Sequence, residues 1–222
     1  MQVNVFLDKV RFHFFLFPFF AALALFTLPY GCKQEQQSDQ QKQVTQITLE
    51  NLQIAYGKSV KHKAMYETFA QRAEKERLRE VANLYRAVAH SEGIHAYNHA
   101  QLMRSHGIDA KMPALDSLSI GTTLQTLKMA LSSEEIEVES MYANLIRTAE
   151  MEKFPEAVQQ FENTRNADTR QMELMKEALD KNGKIVKSPY FVCAGCGFIM
   201  TSDKTVECPT CHAKKDRFQK IS

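Results

Sequence analysis

The sequence predicts a mainly α protein in which four helices pack as a bundle, followed by a small metal-binding module with β structure. Three observations predict this. Helical apolar periodicity recurs in four stretches between Thr48 and Asp180. Each of the four carries a polar pair, three residues apart, near its middle. Two Cys-x-x-Cys pairs, Cys193/Cys196 and Cys208/Cys211, stand eleven residues apart near the end of the chain. The composition agrees, because 222 residues with 44% hydrophobic and 24% charged content suffice for one core and one accessory module. A formal net charge of +2 over interleaved acidic and basic residues leaves no basic face, which excludes nucleic acid as a partner.

The first element, residues 1–31, reads as a signal peptide of lipoprotein type. Lys9 and Arg11 precede an apolar run from Phe12 to Leu28, short for a bilayer span of about 20 residues but right for a signal core. Gly31 directly precedes Cys32, and a glutamine-rich stretch follows. The pattern resembles a bacterial lipoprotein processing site, with Cys32 lipidated, although Pro29 stands where such sites usually carry leucine. A cleaved soluble signal and an uncleaved anchor are the alternatives. All three place the folded part outside the cytoplasm, in the cell envelope facing the periplasm or the exterior. Residues 32–46 offer almost no apolar side chain to offset the entropy of ordering and read as a disordered tether.

Residues 47–184 form the bundle. The seam of its first helix carries Ser59 and His62, the second Glu92 and His95 with His99 one turn on, the third Glu134 and Glu137, and the fourth Asp168 and Gln171. Breaks fall at Pro113 and Pro155, and Asn182 with Gly183 provides the final stop. Four polar interruptions at a similar level predict one shared polar layer inside the bundle. Glu92, Glu134, Glu137 and Asp168 cannot be buried together uncompensated, since each lone carboxylate would cost several kcal/mol or take up a proton. Bound cations or partial exposure with Lys and Arg partners would compensate them. Glu92 and His95 put oxygen and nitrogen ligands one turn apart on one face, which suits a first-row transition metal.

Residues 188–222 hold the most specific signal in the chain. Two facing knuckles, Cys193/Cys196 and Cys208/Cys211, complete a tetrahedral sulfur site suited to iron or zinc. Two disulfides or a structural zinc ribbon would use the same cysteines. A module this small cannot hold itself together by apolar burial, so its metal should be part of its fold.

The segments "TLENLQIAYGKSVKHKAMY", "EGIHAYNH", "SSEEIEVESMY" and "ADTRQMELMKEAL", with the terminal "YFVCAGCGFIM" and "VECPTC", together resemble the rubrerythrin family from Thr48 nearly to the end. The resemblance implies a ferritin-like four-helix bundle with a two-iron carboxylate site and a rubredoxin-like iron module. It further implies a homodimer in which the module serves the bundle of a partner subunit, and an activity that reduces hydrogen peroxide. By the same resemblance Glu92 and His95 match the first Glu-x-x-His, Glu134 and Glu137 the Glu-x-x-Glu, and Tyr66 and Tyr142 tyrosines beside the site. The chain departs from the family where the first helix supplies a glutamate, here Ser59. It departs again where the last helix supplies a second Glu-x-x-His, here Asp168 and Gln171. One or two irons are therefore expected in the bundle, with Asp168 as a shortened bridge, and His62 and His99 as supporting residues.

The function expected is that of a rubrerythrin-like non-haem iron protein, membrane-tethered through a lipid anchor, which transfers electrons and reduces peroxide. Its electron donor is not named by any feature of the sequence. The alternative is a non-catalytic metal-binding or structural protein with an iron or zinc clip at the cysteines.

Overall fold

The computed structural model describes residues 31–115, 120–202, 204 and 206–221, with side chains from residue 46 onward. The signal segment 1–30 and the side chain of Cys32 lie outside the described residues. Helix α1 spans Gly31–Lys75, so the backbone of residues 32–46, expected as a tether, is helical. Gln, Lys and Glu there are good helix formers even without an apolar stripe. Among the described residues no helix is long and apolar enough to cross a membrane.

Helix α2 (Arg79–Ser105) pairs with α1 through a tight turn at Arg77, whose φ of 63° closes the reversal. The third helix of the bundle starts at Thr123 behind a capping box, in which the Thr122 hydroxyl accepts from Gln125 and the Gln125 side chain accepts from the Thr122 amide. It is built of α3 (Thr123–Ile136), one π turn (Glu137–Met141) and α4 (Tyr142–Met151). Helix α5 (Pro155–Asp180) begins with proline in its first turn, where no amide hydrogen is needed. It ends where Gly183, at φ 76°, donates its amide to Ala178 O at 2.7 Å.

Three short strands follow, β1 (Tyr190–Cys193), β2 (Ile199–Met200) and β3 (Phe218–Ile221), in an antiparallel sheet of order β2-β1-β3. Phe191 faces Met200 in the β1/β2 register and Lys220 in the β1/β3 register. The fold class expected from the sequence is therefore the observed one, a four-helix bundle with a small cysteine-bearing strand module.

Two buried apolar clusters divide the bundle interior. One gathers Leu52, Met103, Leu145, Phe154 and Phe161 with Tyr142. The other gathers Phe69, Tyr85, Val88, Leu127 and Met175 with Tyr66, and extends to Val192 and Ile199 of the strand module. The polar side chains of all four helices lie between them, where tight apolar packing on both sides fixes their positions.

Candidate metal centres

The four cysteine sulfurs converge at the tip of the strand module. Cys193 and Cys211 Sγ lie 3.6 Å apart, and Cys196 and Cys208 Sγ 3.5 Å apart. These separations far exceed a disulfide bond of about 2.05 Å. They approach the edge of about 3.8 Å of a tetrahedron whose metal–sulfur bonds are about 2.3 Å. The disulfide alternative is therefore not the arrangement seen. Three of the sulfurs are buried and that of Cys211 partly so. Contacts with the Cys196 and Cys208 sulfurs, aided by the amides of Gly195 and Cys196, push the Cys193 thiol down to about 4, into the thiolate form a metal requires. Contact with the already ionised Cys193 pushes Cys196 up.

In the bundle, the polar layer resolves into two groups able to hold an ion, Glu92/His95/Asp168 and His62/Glu134/Glu137. In the first, His95 Nδ1 lies 3.5 Å from Glu92 Oε1 and 3.5 Å from Asp168 Oδ1. All three side chains are wholly buried. His95 Nε2 lies 3.0 Å from Cys196 O. A carbonyl only accepts, so Nε2 carries the hydrogen and Nδ1 is the nitrogen turned toward the carboxylates. Both oxygens of Glu92 and Nδ1 of His95 have no hydrogen-bond partner. Buried polar atoms without partners that point at one another are what a missing cation leaves behind, so this donor set fits a metal ion.

In the second group, His62 Nδ1 is 3.3 Å from Glu134 Oε1 and Nε2 is 3.2 Å from Glu137 Oε1. Tyr66 O–H donates to Glu134 Oε1 at 2.7 Å. Tyr142 is buried on the other side, its hydroxyl unpartnered. Glu137 opens the π turn, whose wider ring rotates the helix face and frees the Val138 carbonyl. Arg165 of α5 donates to that carbonyl at 2.9 Å, which holds the distortion in place.

The residue of α1 that enters the centre of the layer is Lys58, not Ser59. Its Nζ stands 2.5 Å from Glu137 Oε2, 2.9 Å from Asp168 Oδ2, and 3.7 Å from both Glu92 Oε1 and Glu134 Oε2. The Ser59 hydroxyl is buried with no partner. Lysine has the reach to thread an ammonium into the layer from the seam's flank while its stem packs against the helix. Gln171 donates through Nε2 to Asp168 Oδ1 at 3.2 Å and to Ser91 Oγ at 3.1 Å, and so braces the layer. His99 is fully buried with both ring nitrogens unpartnered.

The ionisation pattern follows this crowding. Burial works against the Lys58 ammonium, yet Asp168, Glu134 and Glu92 hold its pKa well above the usual lysine value. Against the same burial, Lys58 and His95 hold Glu92 well below the usual carboxylate range. Burial raises Asp168 to about 8, opposed by Lys58 and reinforced by Glu92 and Glu134. His95 is raised, as Glu92 and Asp168 outweigh its burial. Burial, with His95 and Lys58 nearby, lowers His99 to about 3, so it stays neutral.

The two centres touch within one chain. Besides the His95–Cys196 contact, Ser91 Oγ donates to Gly197 O at 2.6 Å and Asn98 Nδ2 to Gly195 O at 2.8 Å. Gly197 has φ 81°, and a Cβ there would fall 2.4 Å from His95 Nε2 and 2.6 Å from Ser91 Oγ. Only glycine permits both that backbone and that approach. The resemblance implies that the module serves a partner's bundle, and within this chain it docks on its own α2.

A four-helix bundle with a carboxylate-histidine layer, joined to a strand module with a four-cysteine site, defines a ferritin-like metalloprotein with a rubredoxin-like domain. The rubrerythrin family model matches residues 50–179, and the chain belongs to the rubrerythrin family of non-haem iron proteins. It is 28% identical to rubrerythrin-2 of Clostridium acetobutylicum over 176 residues, covering 78% of this chain and 96% of that protein. It is 27% identical to nigerythrin of Nitratidesulfovibrio vulgaris over 171 residues, covering 77% of this chain and 85% of that one. Among solved structures, nigerythrin in a partially reduced state superimposes with a TM-score of 0.71 at 26% identity, covering 78% of this chain and 86% of the other. Its fully reduced, all-ferrous form gives the same TM-score at 27% identity, with 78% of this chain covered.

Proposed function

We propose that this protein passes electrons from iron held by Cys193, Cys196, Cys208 and Cys211 to a metal site at Glu92, His95 and Asp168, and there reduces hydrogen peroxide in the cell envelope. The observation that carries this reading is the 3.0 Å contact between His95 Nε2 and the carbonyl of Cys196. One side chain thereby offers its Nδ1 to the bundle site and its Nε2–H to the backbone of a sulfur ligand. Iron would supply a one-electron couple at the cysteines and a peroxide-reactive centre in the bundle. Reduction of one peroxide to two waters takes two electrons and two protons.

The chain's own residues perform the positioning. Ser91 and Asn98 fix the module by donating hydrogen bonds to the Gly197 and Gly195 carbonyls. Gln171 orients Asp168, and the apolar clusters on either side keep water from the layer. The signal segment and Cys32 support export and lipid anchoring, with the folded part facing the periplasm or exterior. Rubrerythrins are typically homodimers, and we extend that assembly to this chain.

The test is anaerobic reduction of the full-length protein followed by hydrogen peroxide. Return of the visible absorbance of the cysteine-bound iron, at a rate that Asp168→Asn lowers at least about tenfold, supports the reading. Equal rates in both proteins would remove the bundle from the reaction. A second reading is favoured by Lys58, whose ammonium at the centre of the carboxylates suits a non-catalytic metal-binding protein. Absence of any peroxide-driven reoxidation would select it.

A further inference from the structure

We propose that the Lys58 ammonium is the resident cation of the α1/α3 half of the polar layer, standing in place of a second metal ion. The bundle then takes a single divalent ion, at Glu92, His95 and Asp168. The proposal rests on reading the chain as a metalloprotein of the rubrerythrin type.

Geometry carries it first. A single Nζ lies within 3.7 Å of an oxygen from each of the four buried carboxylates, which is the place a bridging ion would occupy. An ammonium is a compact point charge with three donors, and being tethered it has no association entropy to lose. Helix α1 therefore contributes a cation, from the residue before Ser59, to a layer in which the family pattern calls for a carboxylate from this helix.

The two halves of the layer also differ in what is already satisfied. On the α1/α3 side, both nitrogens of His62 face carboxylates, Tyr66 donates to Glu134, and the second oxygens of Glu134 and Glu137 face Lys58. On the α2/α5 side, both oxygens of Glu92 and Nδ1 of His95 have no hydrogen bond. His62 Nδ1 and one oxygen each of Glu134 and Glu137 also lack a hydrogen bond, but of the four carboxylates Glu92 alone has neither oxygen satisfied, its contacts being 3.5 Å to His95 and 3.7 Å to Lys58, and the single ion is placed there. Charge gives the same result. Two divalent ions would by themselves balance four carboxylates, and adding the ammonium would leave an uncompensated positive charge in the core, which burial penalises strongly. One divalent ion with the ammonium leaves a single negative charge, which one proton bound within the layer neutralises.

The test loads the full-length protein anaerobically with ferrous iron, removes the excess, and counts iron per chain by plasma mass spectrometry. Visible sulfur-to-iron absorbance counts the cysteine-bound ion separately. The wild type is expected to hold one ion at the cysteines and one in the bundle, and Lys58→Met should raise the bundle count to two. Glu92→Gln should empty the bundle, whereas Glu137→Gln should leave its one ion in place. Two bundle ions in the wild type, an unchanged count in Lys58→Met, or an empty bundle in the wild type would each overturn the proposal. If Lys58→Met does not fold, the Glu92 and Glu137 variants decide, and loss of the ion in Glu137→Gln rather than Glu92→Gln would overturn it. A bundle ion with no peroxide-driven reoxidation would sink the functional reading and leave this one standing.

Discussion

The cysteine module and the bundle layer are both sites of four or more converging ligands, yet they are completed differently. The module contains its whole ligand set in two short knuckles, and its sulfurs already approach tetrahedral spacing. The layer draws on four helices, its outermost members Lys58 and Asp168 lying 110 residues apart in sequence, and it is filled in part by the chain's own Lys58. A local site built from knuckles is all-or-none, because a chain segment too small for a core depends on its ion to fold. A distributed site supported by two apolar clusters can lose or exchange ligands one at a time and still fold.

That contrast is broken most severely at the module. Cys208→Ser should abolish the sulfur-to-iron absorbance and unfold the strands, while the far-ultraviolet helical signal of the bundle persists. Loss of the helical signal as well would make the two regions one cooperative unit. Glu92→Gln has the next largest effect, removing the bundle ion with a fall in metal affinity of at least about tenfold while the cysteine absorbance stays intact.

Gly197→Ala probes the junction. Its positive φ and the 2.4 Å approach to His95 Nε2 predict a stability loss of about 1–3 kcal/mol, read by chemical denaturation. It should also slow electron delivery with both metal contents unchanged. Smallest is the pH effect of His99. Its folded pKa of about 3 lies below the unfolded value near 6.5, so the unfolded chain binds the proton more readily. Stability from this group is therefore present above about pH 6.5 and lost as pH falls toward 3. His99→Phe should lose less stability than the wild type between pH 7 and pH 5, by on the order of 2 kcal/mol, in thermal melts at the two pH values.

The same contrast explains what could be read from the sequence. The cysteine knuckles were legible because their spacing is local, and the bundle because helical periodicity recurs four times. The polar level was legible too, since Glu92, His95, Glu134, Glu137 and Asp168 interrupt apolar seams at matching heights. Lys58 was missed because it lies one position off the seam through Ser59, and a lysine there reads as solvated surface. A signal existed: Lys58 is one turn before His62 on the same face, and four buried carboxylates needed a cation. His62 was weighed as a supporting residue, but its two nitrogens sit directly between Glu134 and Glu137. Docking of the module on its own α2 through Ser91, Asn98 and Gly197 was not readable, because nothing in sequence spacing reports a contact across about 100 residues.

The central claim is that one complete sulfur site is coupled to a bundle layer in which Lys58 has replaced a metal. A crystal structure of the iron-loaded protein, with anomalous scattering measured at the iron edge, tests it most directly. The account predicts two peaks per chain, one amid the four cysteine sulfurs and one between Glu92, His95 and Asp168, with Lys58 Nζ still facing Glu137. A second bundle peak between His62, Glu134 and Glu137, with Lys58 turned out of the layer, would contradict it.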